Sequence, residues 1–290
     1  MHMRQLFLLI CILFGSVQPF LPAQDSAEEV FEVAEPVTGL LERRKDKSRT
    51  TDYAYNPYVP IELWAQLKPY FLPINHPIKK KLDQLFHGER VTLSEETFVG
   101  AGFSITRRNR PFNAIVTGHK DLKGYLVKVY LDSQFAVSDW YMWLNRIKGV
   151  EVIQACLKKH GFTRFALPRK WIYPLPAEPS PPSNGLYNRK NFILVVEDMH
   201  ILNHQDNAKA YKLKMTRSLL NDLYTVLMEC QLTDCIYIGN MPFTKEGKIA
   251  FVDTERYFNG EPDFNQLKRY LSVPMQAHLD KLIQKGIPQD

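Results

Sequence analysis

The chain reads as an α+β protein whose strands come early and whose helices come late. Three observations predict this. Apolar segments with period-two character crowd into residues 95–200, a long helical pattern over 137–160 interrupts them, and helical stretches return from 208 onward. At 290 residues, with 45% apolar and 12% aromatic side chains, the chain can bury the core of one large domain with appendages.

The elements follow in order. Arg4, the apolar run Leu6–Phe14 (LFLLICILF) and the small residue Ala23 have the layout of a secretory signal over residues 1–23. The run is too short for a comfortable membrane span, so export is expected, an uncleaved N-terminal anchor being the alternative. Residues 24–55 are first acidic and then basic without apolar period, which predicts a flexible lead-in. Residues 56–94 form a helical N-terminal extension, with IELWAQLKPYF and IKKKLDQLFHG set between prolines.

The strand-rich block opens with ETFVGAGFSITRR, read as a strand, and continues with NAIVTG and YLVKVYL, a hairpin around HKDLKG. From Val137 to His160, residues Trp140, Trp143, Leu144, Ile147, Val152 and Leu157 recur at roughly helical spacing, and Gly161 marks the stop. RFALPRKWIYPLP and NRKNFILVVED are further strands, separated by the loop AEPSPPSNG. A helix over 208–228, a hairpin-like unit ending in KIAFVDTERY, and one or two helices in QLKRYLSVPMQAHLDKLIQ complete the chain.

Net charge is +6, in short clusters such as Lys79–Lys81 and Lys158–Lys159, which disfavours a nucleic-acid partner. Removal of the signal would take Cys11 and leave Cys156, Cys230 and Cys235, an odd set without paired spacing. No disulfide framework and no structural zinc site are expected from it. The sequence holds no Asn-x-Ser/Thr acceptor, which suits a bacterial exported protein.

Four positions carry chemistry. Lys128 lies in GYLVKVYL, where alternation sends Val127 and Val129 to one face and Lys128 to the other with Leu126 and Tyr130. A lysine there either snorkels from an edge strand or requires a buried partner. On the long helix, Glu151 is the candidate partner, Asp139 having a simpler role at the helix start. Asn240 sits at a turn after Gly239, and Asp253 ends an apolar strand. Brought together, an amide oxygen and a carboxylate suit a hard cation such as Mg²⁺ bound to phosphates.

The order of these parts resembles the protein-kinase-like superfamily, in its aminoglycoside and small-molecule kinase branch. GAGFS, with Gly100 and Gly102, resembles the loop over the phosphates; LVKVY resembles the strand with the phosphate-contacting lysine, here Lys128; VEVIQACLKKHG resembles the helix supplying its glutamate, here Glu151. FILVVEDMHIL resembles the strand into the adenine-contacting hinge, about Glu197–Met199. IYIGN and KIAFVDTE resemble the catalytic loop and the metal-binding strand, with Asn240 and Asp253 at the family's separation of thirteen.

The resemblance implies a two-lobed fold: an antiparallel sheet with one long helix over 95–200, then a reduced helical lobe over 201–290. It implies ATP and Mg²⁺ as cofactors and phosphotransfer to an acceptor the sequence does not name. The chain also departs from the family. The position of the catalytic base holds Cys235, and Asp234 lies one residue upstream, so either Asp234 serves as base or the loop has none. The alternative is therefore a pseudokinase or protein-interaction module. Because ATP is scarce outside cells, an exported active form implies a target inside a host cell.

Overall fold

The computed structural model describes residues 53–105 and 114–286. Contacts divide the chain into Met1–Lys45 and Asp46–Asp290, and all described residues belong to the second unit. The expected signal (1–23) and all of the expected lead-in before Tyr53 lie outside the described residues.

Prolines and a capping serine shape the first helices. α1 (Ile61–Leu67) runs into a 3₁₀ turn at Lys68–Tyr70, and α2 (Lys79–Phe86) follows. α3 (Glu95–Gly100) replaces the strand expected through ETFVGAG. Ser94 N donates to the Thr97 hydroxyl at 3.0 Å and Thr97 N to the Ser94 hydroxyl at 3.4 Å, a reciprocal capping box reinforced by Glu95 and Glu96 in the first turn. These local bonds outweigh a short apolar alternation.

β1 (Ile115–Gly118) and β2 (Tyr125–Val129) form the expected antiparallel hairpin. α4 (Asp139–His160) ends at Gly161, whose φ of +67° is left-handed. β3 (Phe165–Ala166), β4 (Lys170–Pro174) and β5 (Phe192–Glu197) come next. The single helix expected over 208–228 is two helices, α5 (His204–Lys214) and α6 (Arg217–Glu229). Met215 is extended, and the Thr216 hydroxyl caps α6 by accepting from Leu219 N at 3.2 Å. β6 (Ile249–Ala250), α7 (Asn265–Lys268) and α8 (Val273–Lys285) complete the order.

The fold is α+β. Its main sheet has the order β1-β2-β5-β4 with every neighbour antiparallel, and β3 pairs with β6 in parallel in a second, two-stranded sheet. Alternation along the strands covers both faces of the main sheet. Val127, Val129, Ile193 and Val195 pack toward Leu82 and Phe86 of α2 and Phe98 of α3. Tyr130, Phe192, Leu194 and Val196 pack toward Trp64 and Leu67 of α1 and Trp143, Leu144 and Ile147 of α4. Residues 56–94 are thus built into the core: Leu72 N also donates to Ile172 O at 2.9 Å.

The start of α4 is fixed to β5. The buried Asp139 carboxylate accepts from Asn191 N at 2.7 Å and Phe192 N at 2.8 Å, and Trp143 Nε1 donates to Phe192 O at 3.1 Å. A third core joins Ile153 and Cys156 of α4 to α5, α6, α8 and the segment around Ile236–Phe251. Helix α4 therefore spans two cores, and one chain segment after β6 meets it between them. Among the described residues no helix is long and apolar enough to cross a membrane.

Candidate functional site

Two lysines on the sheet face α4. Lys128 of β2 pairs in register with Leu194, and Lys170 of β4 pairs with Val196, so both lie on the face that Leu194 and Val196 share. Each is buried, at 6% and 7% exposure. Apolar neighbours cannot solvate an ammonium, and the partners come from the segment after β6 and from α4. Lys128 Nζ donates to Val252 O at 3.2 Å and stands 3.7 Å from Asp253 Oδ1. Lys170 Nζ donates to Thr254 Oγ1 at 2.8 Å and Arg146 O at 3.3 Å.

Helix α4 contributes Arg146. Its Nε donates to Asp253 Oδ1 at 2.9 Å, its Nη2 reaches Glu255 Oε2 at 2.5 Å, and its Nη1 donates to Met142 O at 3.1 Å. The Thr254 hydroxyl donates to Arg146 O at 2.6 Å. This closeness depends on Gly149, one helical turn further along: a Cβ there would lie 1.9 Å from Thr254 O. A glycine inside a helix is unfavourable by about 1 kcal/mol relative to alanine, and the contact with Thr254 accounts for it.

The charges reshape one another. Burial pushes the Asp253 carboxyl up, but Lys128, Arg146 and Lys170 outweigh it and hold it well below the usual carboxylate range. Burial brings Lys128 down, against the attraction of Asp253. Burial, then repulsion from Lys128, brings Lys170 down to about 7. Glu255 is pushed up by burial against the pull of Arg146, with Asp253 and Asp234 adding repulsion.

The loop before β6 joins this cluster. Asn240 O accepts from Val252 N at 2.9 Å, which ties the turn beside Asp253. Asn240 Nδ2 donates to Asp234 O at 2.7 Å. Asp234 Oδ2 accepts from Arg256 N at 3.2 Å, whereas its Oδ1 is buried without a hydrogen-bond partner. Burial, then Asp253, raises the Asp234 carboxyl. The buried Cys235 thiol donates to Asp253 O at 2.8 Å, and burial raises it well above its ordinary value.

Of the residues singled out from sequence, the structure brings Lys128, Asp234, Asn240 and Asp253 together. Glu151 stands apart: the carboxylate within ion-pair reach of Lys128 is Asp253, and Glu151 acts on Tyr257. Helix geometry gives the reason, since five residues separate it from Arg146 and turn its side chain about 140° away. Gly100 and Gly102 lie at the carbonyl end of α3, an environment that does not favour phosphate. Gly102, at φ +93°, packs on His119, whose Nε2 would meet a Cβ at 2.8 Å. Glu197 is bonded to Arg169, accepting from its N at 2.9 Å and its Nε at 2.6 Å. Met199 follows Asp198, whose N donates to Gly124 O at 2.9 Å at the β1–β2 turn.

Sequence reasoning missed Arg146 and Lys170; the helix glycine, Gly149, was the available signal of close approach. It also expected no structural zinc site, yet Cys156, His160 and Glu229 have ligand atoms within 4.8 Å of one another. Cys156, Cys230 and Cys235 are free thiols. No protein-family model, curated protein or solved structure matches the chain.

Proposed function

We propose that the chain is an exported kinase-like protein whose centre at Lys128 and Asp253 takes ATP with Mg²⁺. One observation carries this reading: a buried ammonium on the sheet stands 3.7 Å from a carboxylate 125 residues later in the chain, with Asn240 tied beside it. The antiparallel sheet with α4 laid over the lysine's face supports a kinase-like N-terminal lobe. The core of α5, α6 and α8 supports a reduced C-terminal one.

The donor set fits a hard cation. Asp253 offers a carboxylate and Asn240 an amide, and the buried, unbonded Asp234 Oδ1 marks an unfilled polar position within electrostatic reach of Asp253 without being a ligand itself. Asp253 and Asn240 would hold Mg²⁺ and Lys128 would contact the phosphates; the ion supplies charge neutralisation there. Lys128, Arg146 and Lys170 keep Asp253 ionised, the form a cation requires. Asp234 is the candidate to take the proton of an acceptor hydroxyl, and its raised carboxyl moves toward the range of a useful base. Export would place the active form's acceptor in a host cell.

A pseudokinase or interaction module has its own support. Arg146 already occupies Asp253 Oδ1, and the position after Asp234 holds a protonated thiol spent on Asp253 O. Thermal melting of the full chain tests both readings. A stabilisation by millimolar ATP that requires Mg²⁺ is the expected result, and its absence removes nucleotide binding from either reading. Transfer of labelled γ-phosphate to the chain itself or to water then separates enzyme from pseudoenzyme.

A further inference from the structure

We propose that Cys156, His160 and Glu229 form a three-residue binding site for a zinc-type divalent metal where the end of α4 meets the end of α6. Cys156 and His160 are four residues apart on α4 and so share a face. Glu229 is the last residue of α6 and Cys230 its cap, 2% exposed and packed in the same core as Cys156. His160 Nε2 lies 2.7 Å from Glu229 Oε1, and Cys156 Sγ lies 3.9 Å from Glu229 Oε2.

Ligand atoms around a tetrahedral zinc stand about 3.5 Å apart, given its bond lengths to sulfur, nitrogen and oxygen. The observed distances bracket that value, with the three ligand atoms all within 4.8 Å. A thiolate, an imidazole and a carboxylate are a borderline donor set, which selects zinc over the hard ions expected at Asp253. One thiolate and one carboxylate also match the charge of a divalent ion.

The ligands are held by rigid surroundings. Cys156 and Cys230 are packed in the helical core, and Cys230 N and O are bonded to Val226 O and from Phe258 N at 3.1 and 2.9 Å. The His160 ring stacks on Phe162 with centroids 5.1 Å apart. Lys159 Nζ contacts Glu229 Oε2 at 3.1 Å from an exposed position, and metal binding must displace it. The metal would clip α4 to α6, independently of the Asp253 centre.

The full chain, purified under reducing conditions, is loaded with Zn²⁺, passed over a chelating resin and assayed for metal. One zinc per chain is expected, together with a thiolate-to-cobalt charge-transfer band on Co²⁺ substitution and a zinc-dependent rise in Tm of several degrees. Cys156→Ser abolishes the band, and His160→Gln and Glu229→Gln each weaken cobalt binding at least tenfold. His160 is partly exposed, so its variant reads binding even if the cysteine variant fails to fold. A stoichiometry far below one, a band that survives Cys156→Ser, or a Cys156–Cys230 disulfide in place of the metal overturns the proposal.

Discussion

Arg146 Nε stands 2.9 Å from Asp253 Oδ1, and the same guanidinium reaches Glu255 Oε2 at 2.5 Å. The two acids that close KIAFVDTERY are thus held by one arginine from α4. Their side chains are 27% and 17% exposed, so neither is a surface terminus. Arg146 itself stays charged, because Asp253 and Glu255 outweigh a burial that works against it.

Removing this arginine leaves two half-buried carboxylates near each other, with Lys128 still 3.7 Å from Asp253. Breaking a buried pair from one side costs about 3–5 kcal/mol. Arg146→Met is therefore expected to lower stability to urea by that amount. Arg146→Lys should fall between the two, since an ammonium cannot reach both acids as the guanidinium does. A double-mutant cycle with Asp253→Asn should recover a coupling of about 0.5–3 kcal/mol. A loss for Arg146→Met of only about 0.5 kcal/mol, typical of a surface change, would contradict the buried bridge.

Gly149→Ala sets two effects against each other. Helix propensity favours alanine by about 1 kcal/mol. The new Cβ would meet Thr254 O at 1.9 Å, and the backbone that must move carries Asp253 and Glu255 beside it. Overpacking costs typically about 1–3 kcal/mol, and more when backbone shifts. A net destabilisation is expected in chemical unfolding, and a neutral or stabilising result would refute the close approach.

Part of this arrangement was legible from residue order. Valines on either side of Lys128 fixed the face it takes, and the apolar spacing of Trp143, Leu144 and Ile147 fixed the helix that covers it. The turn pairing Asn240 with Asp253 could be read from the segment between them. Arg146 could not, because a buried lysine prompts a search for an acid on the covering helix. In the structure the acid arrives from beyond β6, and the helix supplies a second cation to share it. Lys170 opens a strand, where a lysine ordinarily reaches water, and its burial follows from the contact between Gly149 and Thr254. The helix at Glu95–Gly100 was hidden for a different reason: side-chain caps, rather than periodicity, stabilise a segment so short.

Lys170 gives the protein a pH signature. Its amine is brought down from an ordinary 10.5 to about 7, with Lys128, Arg146, Asp253 and Cys235 facing it. Between those values the unfolded chain holds the proton and the folded chain does not, so stability rises with pH. One proton contributes up to about 1.4 kcal/mol per pH unit. Lys128, also lowered by burial, acts in the same direction. The window to read is pH 7 to about 8.5, below the titration of unfolded thiols. Urea unfolding should show stability rising across it, and Lys170→Met should flatten the slope. An unchanged slope in that variant would mean that Lys170 is not the group responsible.

The nucleotide reading separates into distinct effects of three variants. At a hundredfold excess over Kd, a ligand stabilises the native chain by about 2.7 kcal/mol, roughly 5–10 °C in Tm for a domain of this size. Asp253→Asn should abolish the Mg²⁺-dependent part of the ATP shift, because the ionised carboxylate that would hold the ion is gone. Lys128→Met should weaken ATP binding at least tenfold, about 1.4 kcal/mol, with or without Mg²⁺, since its contact would be to phosphate. Asp234→Asn should leave the ATP shift in place and lower any phosphate transfer by about 10²–10⁴-fold, the usual worth of a general base. Transfer that survives Asp234→Asn unchanged would rule out that carboxylate as the base. An ATP shift indifferent to both Lys128→Met and Asp253→Asn would place nucleotide binding elsewhere on the chain.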